Sequence, residues 1–245
     1  MFQLQGKTAL VTGSGRGMGL GIARGLAQQG AAVLVNDLFP ERAREASATL
    51  QEEGLDATPL PFDVTDTGAV RSAITAAGAV DILVCNAGIP GHEGMELAMF
   101  MDQEPEDWRP MVDLNLYGTL HCVHAALPGM RERGWGRVIM VSSDAGRVGS
   151  GIGCSIYGAC KAAAVQLMRI LSQEVAAFGI TCNAIALGPM NNLPEEIAAP
   201  VARGVPIPRL GTPEDAAAAI VYLASEESNW VTGQLLPVNG GITPV

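Results

Sequence analysis

The sequence predicts an α/β fold, a doubly wound parallel sheet of about seven strands with helices on both faces. Three observations carry this. Short, nearly continuous apolar runs alternate along the chain with stretches of helical spacing, as expected for strands buried on both faces between crossover helices. The first run ends in a dense glycine cluster that opens a helix. The length of 245 residues suits one such sheet, without a linker or internal repeat, so residues 1–245 are expected to form a single domain.

Each element follows from its residues. Residues 7–12 (KTALVT) form the first apolar run, and residues 17–30 carry Leu20, Ala23, Leu26 and Ala27 at helical spacing. Residues 31–37 (AAVLVND) are the second run, closed by an acid, and 40–54 form a charged helix stopped by Gly54. Residues 57–63 are a weaker third strand, 66–78 a helix, and 81–85 (DILVC) the fourth strand. A long helical region spans 105–133, followed by a fifth strand at 137–143 (RVIMVSS), a helix at 155–178 and a sixth strand at 180–186. Thr212 and Pro213 mark the start of a helix over 212–225, as N-cap and first position. Residues 235–238 form the last short strand. Sheets of this kind bind ligands beyond the carboxyl ends of their strands.

Composition excludes several classes. Asp and Glu number 25 against 15 Lys and Arg, a net charge of −10, which disfavours a nucleic-acid partner because phosphate binding needs a basic face. A hydrophobic fraction of 48% excludes a disordered chain. No apolar run approaches the ~20 residues of a membrane helix, and Met1 leads into no basic, then apolar, leader. The five cysteines (Cys85, Cys122, Cys154, Cys160 and Cys182) form no CxxC pair, so reduced buried thiols in a cytoplasmic protein are expected and no metal site is. Gly is in excess, at 30 residues, about 12% against a usual ~7%.

The excess is local. Six glycines fall in residues 13–25 and five in 146–158. In Gly13-Ser14-Gly15-Arg16-Gly17-Met18-Gly19, between the first strand and first helix, bare backbone allows a tight turn and brings N–H groups to a pyrophosphate at the helix N-terminus. Asp37 closes the second strand 18 residues after Gly19, where a carboxylate accepts from adenosine ribose hydroxyls.

The Thr-Gly-x-x-x-Gly-x-Gly spacing resembles the short-chain dehydrogenase/reductase family, and other motifs match along nearly the whole chain. These are Asp63-Val64 after the third strand, Asn86-Ala87-Gly88 after the fourth, Asn115 in the long helix, Ser143 at the end of the fifth strand, Tyr157-x-x-x-Lys161 on the next helix, and Asn239-Gly240-Gly241. The resemblance implies a Rossmann-like oxidoreductase. Its cofactor would lie against Gly13, Arg16, Gly17, Met18, Gly19, Asp37, Asp63, Val64, Asn86, Ala87, Gly88, Tyr157, Lys161 and Gly188. A homotetramer or homodimer is implied too.

Tyr157 and Lys161, four residues apart, share a helix face. An isolated pair of this kind is ordinarily a surface feature; its context reverses that. A free phenol titrates near pH 10, so an adjacent ammonium is what lets Tyr157 exchange a proton near neutrality. By the resemblance, Ser143 holds the substrate oxygen, Lys161 also binds the nicotinamide ribose, and Asn115 holds a water of a proton relay. Ser142 and Ser143 compete for the serine role, since strand alternation points them apart. The Ser-x-x-Gly pattern selects Ser143. Tyr157 lies 14 positions on, one more than is common in the family, and the glycines at 149–153 absorb the extra residue.

Asp37 favours NAD over NADP, because a carboxylate there repels a 2′-phosphate. Arg16 points the other way, and Arg42 reads as a solvated helix face. On the substrate side, residues 92–104 are some five residues longer than in many relatives and contain Met95, Leu97, Met99, Phe100 and Met101. They suit an adaptable pocket wall, or packing on the body or on a partner subunit. Asn192 stands where a nicotinamide-contacting Thr is common. The run Ser143–Ser150 resembles hydroxyacyl-thioester dehydrogenases of alicyclic acid degradation and 3-oxoacyl-carrier-protein reductases. Arg147 can meet an anionic substrate arm but reads first as a surface residue, and His121 and His124 read as core or subunit-contact residues.

The leading expectation is an NAD-dependent oxidoreductase acting on a small-molecule secondary alcohol or ketone. An NADP-linked 3-oxoacyl-thioester reductase is the alternative. A non-catalytic dinucleotide sensor is the alternative of another class; it has no need of Asn115, Ser143, Tyr157 and Lys161 together.

Overall fold

The computed structural model describes residues 1–88 and 97–244. Seven parallel strands form one sheet, β1 (Thr8–Val11), β2 (Ala32–Val35), β3 (Ala57–Pro59), β4 (Ile82–Cys85), β5 (Gly136–Ser143), β6 (Ile180–Leu187) and β7 (Leu235–Val238). Their order is β3-β2-β1-β4-β5-β6-β7, so the winding reverses between β1 and β4. A crevice opens beyond the strand ends at such a reversal.

Strand alternation divides the core. Ala9, Val11, Ile82, Val84, Ile139 and Ile185 face one side, covered by Ile22 and Leu26 of α1 (Gly17–Gln28), Leu50 of α2 (Pro40–Glu52) and Ile220 of α8 (Pro213–Ala224). Leu10, Leu83, Val138, Met140 and Cys182 face the other, covered by Val70 of α3 (Thr67–Ala77), Val123 and Met130 of α5 (Gly118–Arg133), and Val165 and Met168 of α6 (Ser155–Val175). The strands read as unbroken apolar runs because both faces are buried. Helix ends follow their local chemistry. Asp66 caps α3 by accepting from the Gly68 and Ala69 N–H groups. Thr212 and Asp215 form a reciprocal capping box on α8. Gly134, at φ 68°, ends α5.

The structure differs from the sequence expectation in four places. β3 stops at Pro59, because Pro59 and Pro61 have no N–H to extend the ladder. The long helix expected over 105–133 is α4 (Pro105–Val112) and α5 joined by a π-helical turn, Asp113–Tyr117. The α6 spiral ends at Val175 and tightens to a 3₁₀ turn over Ala176–Phe178. An unforeseen helix, α7 (Glu195–Arg203), follows Pro194 within the segment after β6. The amino-terminal part of the Met-bearing stretch, including Met95, lies outside the described residues.

Candidate active site

The glycine turn after β1 is held by side chains that leave its outer face bare. Thr12 Oγ1 accepts from the Asn86 and Ala87 N–H groups at 3.0 Å each. Asn86 Nδ2 donates to the Thr12 and Gly13 carbonyls at 2.9 and 3.0 Å, so its side chain binds β4 to the turn. Asn36, fully buried, accepts from Gly13 N–H at 3.3 Å and donates to the Leu60 and Phe62 carbonyls. The turn is therefore wired to β2, to the segment after β3 and to β4.

A cradle results. At Gly15 an added Cβ would lie 2.5 Å from Asp37 Oδ2, and Gly17 has φ +55° with open space around it. Helix α1 begins at Gly17 without a side-chain cap from Arg16. The first-turn N–H groups of Gly17, Met18 and Gly19 are thus available to an anion at the positive end of the helix. Asp37, only 7% exposed, accepts from Phe39 N–H at 3.0 Å and turns Oδ2 toward Gly15. Arg42 lies 4.4 Å over the Phe39 ring. Asp63 accepts from the Thr65 backbone and hydroxyl at 2.8 Å each. The Val64 carbonyl meets His121 Nδ1 at 3.0 Å, and His121 Nε2 meets Thr67 Oγ1, which gives His121 a packing role between α5 and α3.

Across the crevice, Ser143, Tyr157, Lys161 and Asn115 come together from β5, α6 and the π turn. The Ser143 hydroxyl lies beside the Tyr157 phenol, close enough to favour its ionisation. Ser142 is buried on the other side of the strand, with its hydroxyl on the Lys161 carbonyl. Lys161 is buried, donates to the Val141 carbonyl at 3.1 Å and places Nζ 5.5 Å from the Tyr157 ring centre. Asn115 is fully buried in the widened turn, with Nδ2 on the Met111 carbonyl at 3.1 Å. Its Oδ1 has no partner. At Gly88 an added Cβ would lie 2.9 Å from that oxygen and 3.3 Å from Lys161 Nζ, so the bare Gly88 backbone lets the two groups approach one point.

Burial works against charge here. It pushes the Tyr157 phenol up from its ordinary value, opposed by the Ser143 hydroxyl, and Cys154 adds to the rise. It brings Lys161 down to about 8, opposed by Cys85 and Cys160. At pH 7 Lys161 is still an ammonium beside a phenol, so one proton is available to pass between Tyr157 and a ligand oxygen.

The remaining sequence candidates are placed as follows. Gly188 ends β6 against Asn239, whose Cβ would lie 2.6 Å from an added Gly188 Cβ. Asn192 is exposed in the turn before α7. Arg147 is not a surface residue: its side chain is 9% exposed and ion-paired to Asp144 at 3.1 Å. The 147–154 stretch packs on the described part of the Met-bearing segment, where an added Cβ at Gly153 would lie 2.9 Å from the Ala98 backbone. Phe100 stacks on Trp108 at 5.5 Å. Among the described residues no group of three or more His, Cys, Asp or Glu gathers as for a metal ion, and no helix is long and apolar enough to cross a membrane. Sequence reasoning missed Asn36, which no spacing marked beyond its place before Asp37, and the distant partners of Asp144, namely Asn239 and Thr243, which lie 95 and 99 residues away in sequence.

Comparison with known proteins finds relatives along nearly the whole chain. A family model described as enoyl-(acyl carrier protein) reductase matches residues 13–243. The cis-4-hydroxycyclohexanecarboxylate dehydrogenase of Sinomonas cyclohexanicum is 36% identical over 98% of this chain and 97% of its own. Among solved structures, a gluconate 5-dehydrogenase from Burkholderia cenocepacia in complex with NADP and tartrate superposes with TM-score 0.91 at 34% identity, covering 98% of this chain and 96% of that one. A 3-oxoacyl-[acyl-carrier protein] reductase from Brucella melitensis with bound NAD gives TM-score 0.93 at 33% identity, over 100% and 94%.

Proposed function

The chain belongs to the short-chain dehydrogenase/reductase family of oxidoreductases, which act on CH–OH groups with a nicotinamide dinucleotide, and we propose that it interconverts a secondary alcohol and a ketone with NAD(H). The observation that carries this reading is the Ser143–Tyr157–Lys161–Asn115 set, Lys161 and Asn115 buried and Ser143 and Tyr157 half-buried, facing a glycine cradle that a Cβ would fill. The residues present fit the cofactor. Gly13, Gly17, Met18 and Gly19 offer backbone to its pyrophosphate, Asp37 and Gly15 to its adenosine ribose, Asp63 and Val64 to its base, and Lys161 to the other ribose. When bound, the dinucleotide would supply the hydride chemistry at the carbinol carbon.

This chain's own groups move the proton. Ser143 holds the substrate oxygen through its hydroxyl and favours charge developing there. Tyr157 takes the hydroxyl proton during oxidation and returns it during reduction. Lys161, charged below about pH 8, stabilises the phenolate. Asn115 Oδ1, orphaned and buried, is placed to accept from a water that refills the proton through Lys161.

Asp37 supports NAD, since its carboxylate sits where a 2′-phosphate would add charge beside charge. Arg42, whose Cβ would be 2.9 Å from a Cβ at Gly15, is the feature favouring the second reading, an NADP-linked 3-oxoacyl-thioester reductase. Steady-state kinetics with both cofactors separate the two. Wild type is expected to favour NAD, and Asp37→Ser to lose about tenfold in kcat/KM with NAD, about 1.4 kcal/mol, while gaining with NADP. A wild-type preference for NADP would remove the Asp37 argument. A cytoplasmic homotetramer or homodimer is part of the proposal, supported by Tyr117, Ile170 and Phe178 exposed on or next to α5 and α6; light scattering after size exclusion checks the assembly.

A further inference from the structure

The turn that carries Ser143 is tied to the carboxyl-terminal tail of the chain. The 3₁₀ turn Asp144–Gly146 begins directly after Ser143, and the Ala145 N–H donates to Ser143 Oγ at 3.2 Å. The Asp144 carboxylate, with 13% of its side chain exposed, gathers four donors. They are Arg147 Nε at 3.2 Å, Arg147 Nη2 at 3.1 Å, Asn239 Nδ2 at 3.0 Å and Thr243 Oγ1 at 2.8 Å. Thr243 completes the ring: its hydroxyl accepts from Asn239 Nδ2 at 3.0 Å, and its hydroxyl and carbonyl both accept from Arg147 Nη2. The Asp144 carboxylate is thus fully satisfied, whereas Arg147 keeps Nη1 buried without a partner among the described residues, so the ring holds by its Nε and Nη2 bonds, and removing a partner leaves the others desolvated.

On its other side the turn packs on α6, where an added Cβ at Gly158 would lie 2.5 Å from the Ala145 carbonyl oxygen. Beyond Arg147, added Cβ atoms at Gly149 and Gly151 would meet nothing within 4 Å. The tail itself is anchored. β7 pairs with β6, Asn239 abuts Gly188, and Ile207 N–H donates to the Gly240 carbonyl at 3.0 Å. Asn239 to Thr243 thus bridges the segment after α7 and the Ser143 turn.

We propose that Thr243, with Asn239, is a positioning element for Ser143, setting its hydroxyl against Tyr157 through Asp144 and Arg147. The proposal rests on the roles given above to Ser143 and Tyr157. The groups facing Tyr157 are Ser143 from β5, Cys154 from the start of α6 and Lys161 one turn on. Of these, only Ser143 is reached through the tail.

The test compares Thr243→Val, which removes the hydroxyl at nearly constant shape, with Thr243→Ser, which keeps it. Tyrosinate absorbance is titrated for each, with the same background carrying Tyr157→Phe subtracted to isolate Tyr157. Turnover is measured alongside. Thr243→Val is expected to raise the Tyr157 midpoint, as the Ser143 hydroxyl withdraws, and to lower kcat about tenfold while the cofactor KM stays within about twofold. Thr243→Ser is expected to restore both. If Thr243→Val does not fold, Asp144→Asn provides the same reading, since it weakens the charge-assisted bonds at equal size. An unchanged midpoint and kcat in Thr243→Val would overturn the proposal, as would a Thr243→Ser protein as impaired as Thr243→Val. If wild type turns over no alcohol, the proposed function fails, and the titration still decides the positioning role.

Discussion

Tyr157→Phe is expected to lower turnover by more than about a hundredfold, the scale of a lost general acid–base, while NADH binding, followed by fluorescence, stays near wild type. The substitution removes one oxygen from a ring that is otherwise held by packing. The lost atom is the one that faces Ser143 and the one that exchanges the substrate proton. Retained turnover above a hundredth of wild type would assign the proton to another group. The pH dependence has a definite sign. Ketone reduction needs the phenol protonated and Lys161 charged, so its kcat/KM is expected to be flat near neutrality and to fall as pH rises through about 8, where Lys161 loses its proton. Alcohol oxidation needs the phenol to release its proton, so its kcat/KM is expected to climb over the acid side of that range.

Gly19→Ala is expected to do the reverse, removing cofactor binding rather than chemistry. A Cβ there would lie 2.2 Å from the Gly13 carbonyl oxygen and 2.7 Å from Asn86 Nδ2 and Ser14 Cα. These atoms belong to the hydrogen-bonded turn, so none is the loose end of a flexible side chain. Overpacking of this kind costs about 1–3 kcal/mol, and the turn must open to relieve it. The NADH dissociation constant is expected to rise at least about thirtyfold, roughly 2 kcal/mol, with a lower Tm. Gly17, at φ +55° but in open space, supplies the contrast: Gly17→Ala carries only left-handed strain, about 1–2 kcal/mol. Titration calorimetry on both variants decides the matter, and wild-type affinity in Gly19→Ala would contradict the cradle.

Much of this was legible in the sequence, for identifiable reasons. Parallel strands buried on both faces must read as apolar runs, so β1, β4, β5 and β6 stand out without ambiguity. β3 was harder, because its prolines end the ladder while the apolar run continues. The glycine turn and the Tyr157–Lys161 pair are local, and local spacing carries them. The π turn at Asp113–Tyr117 leaves no such mark: one extra residue per turn barely disturbs helical periodicity, although it seats Asn115. Arg147 was misread as a surface residue, because its long-range partner is Thr243, which only the closing of the sheet brings near. Helix α7 was passed over, since Pro194 and the acids at 195 and 196 mark a helix start but no long apolar stripe follows.

The central claim is that a hydride passes between a carbinol carbon and the nicotinamide in this site. A panel of secondary alcohols and hydroxyacyl thioesters, including cis-4-hydroxycyclohexanecarboxylate, each deuterated at the carbinol carbon, tests it with NAD and with NADP. The predicted result is reduced NAD that carries deuterium at C4 of the nicotinamide by NMR, formed by wild type and not by Tyr157→Phe. Reduced cofactor carrying only protium, or no reduction by any member of the panel with either cofactor, would contradict it.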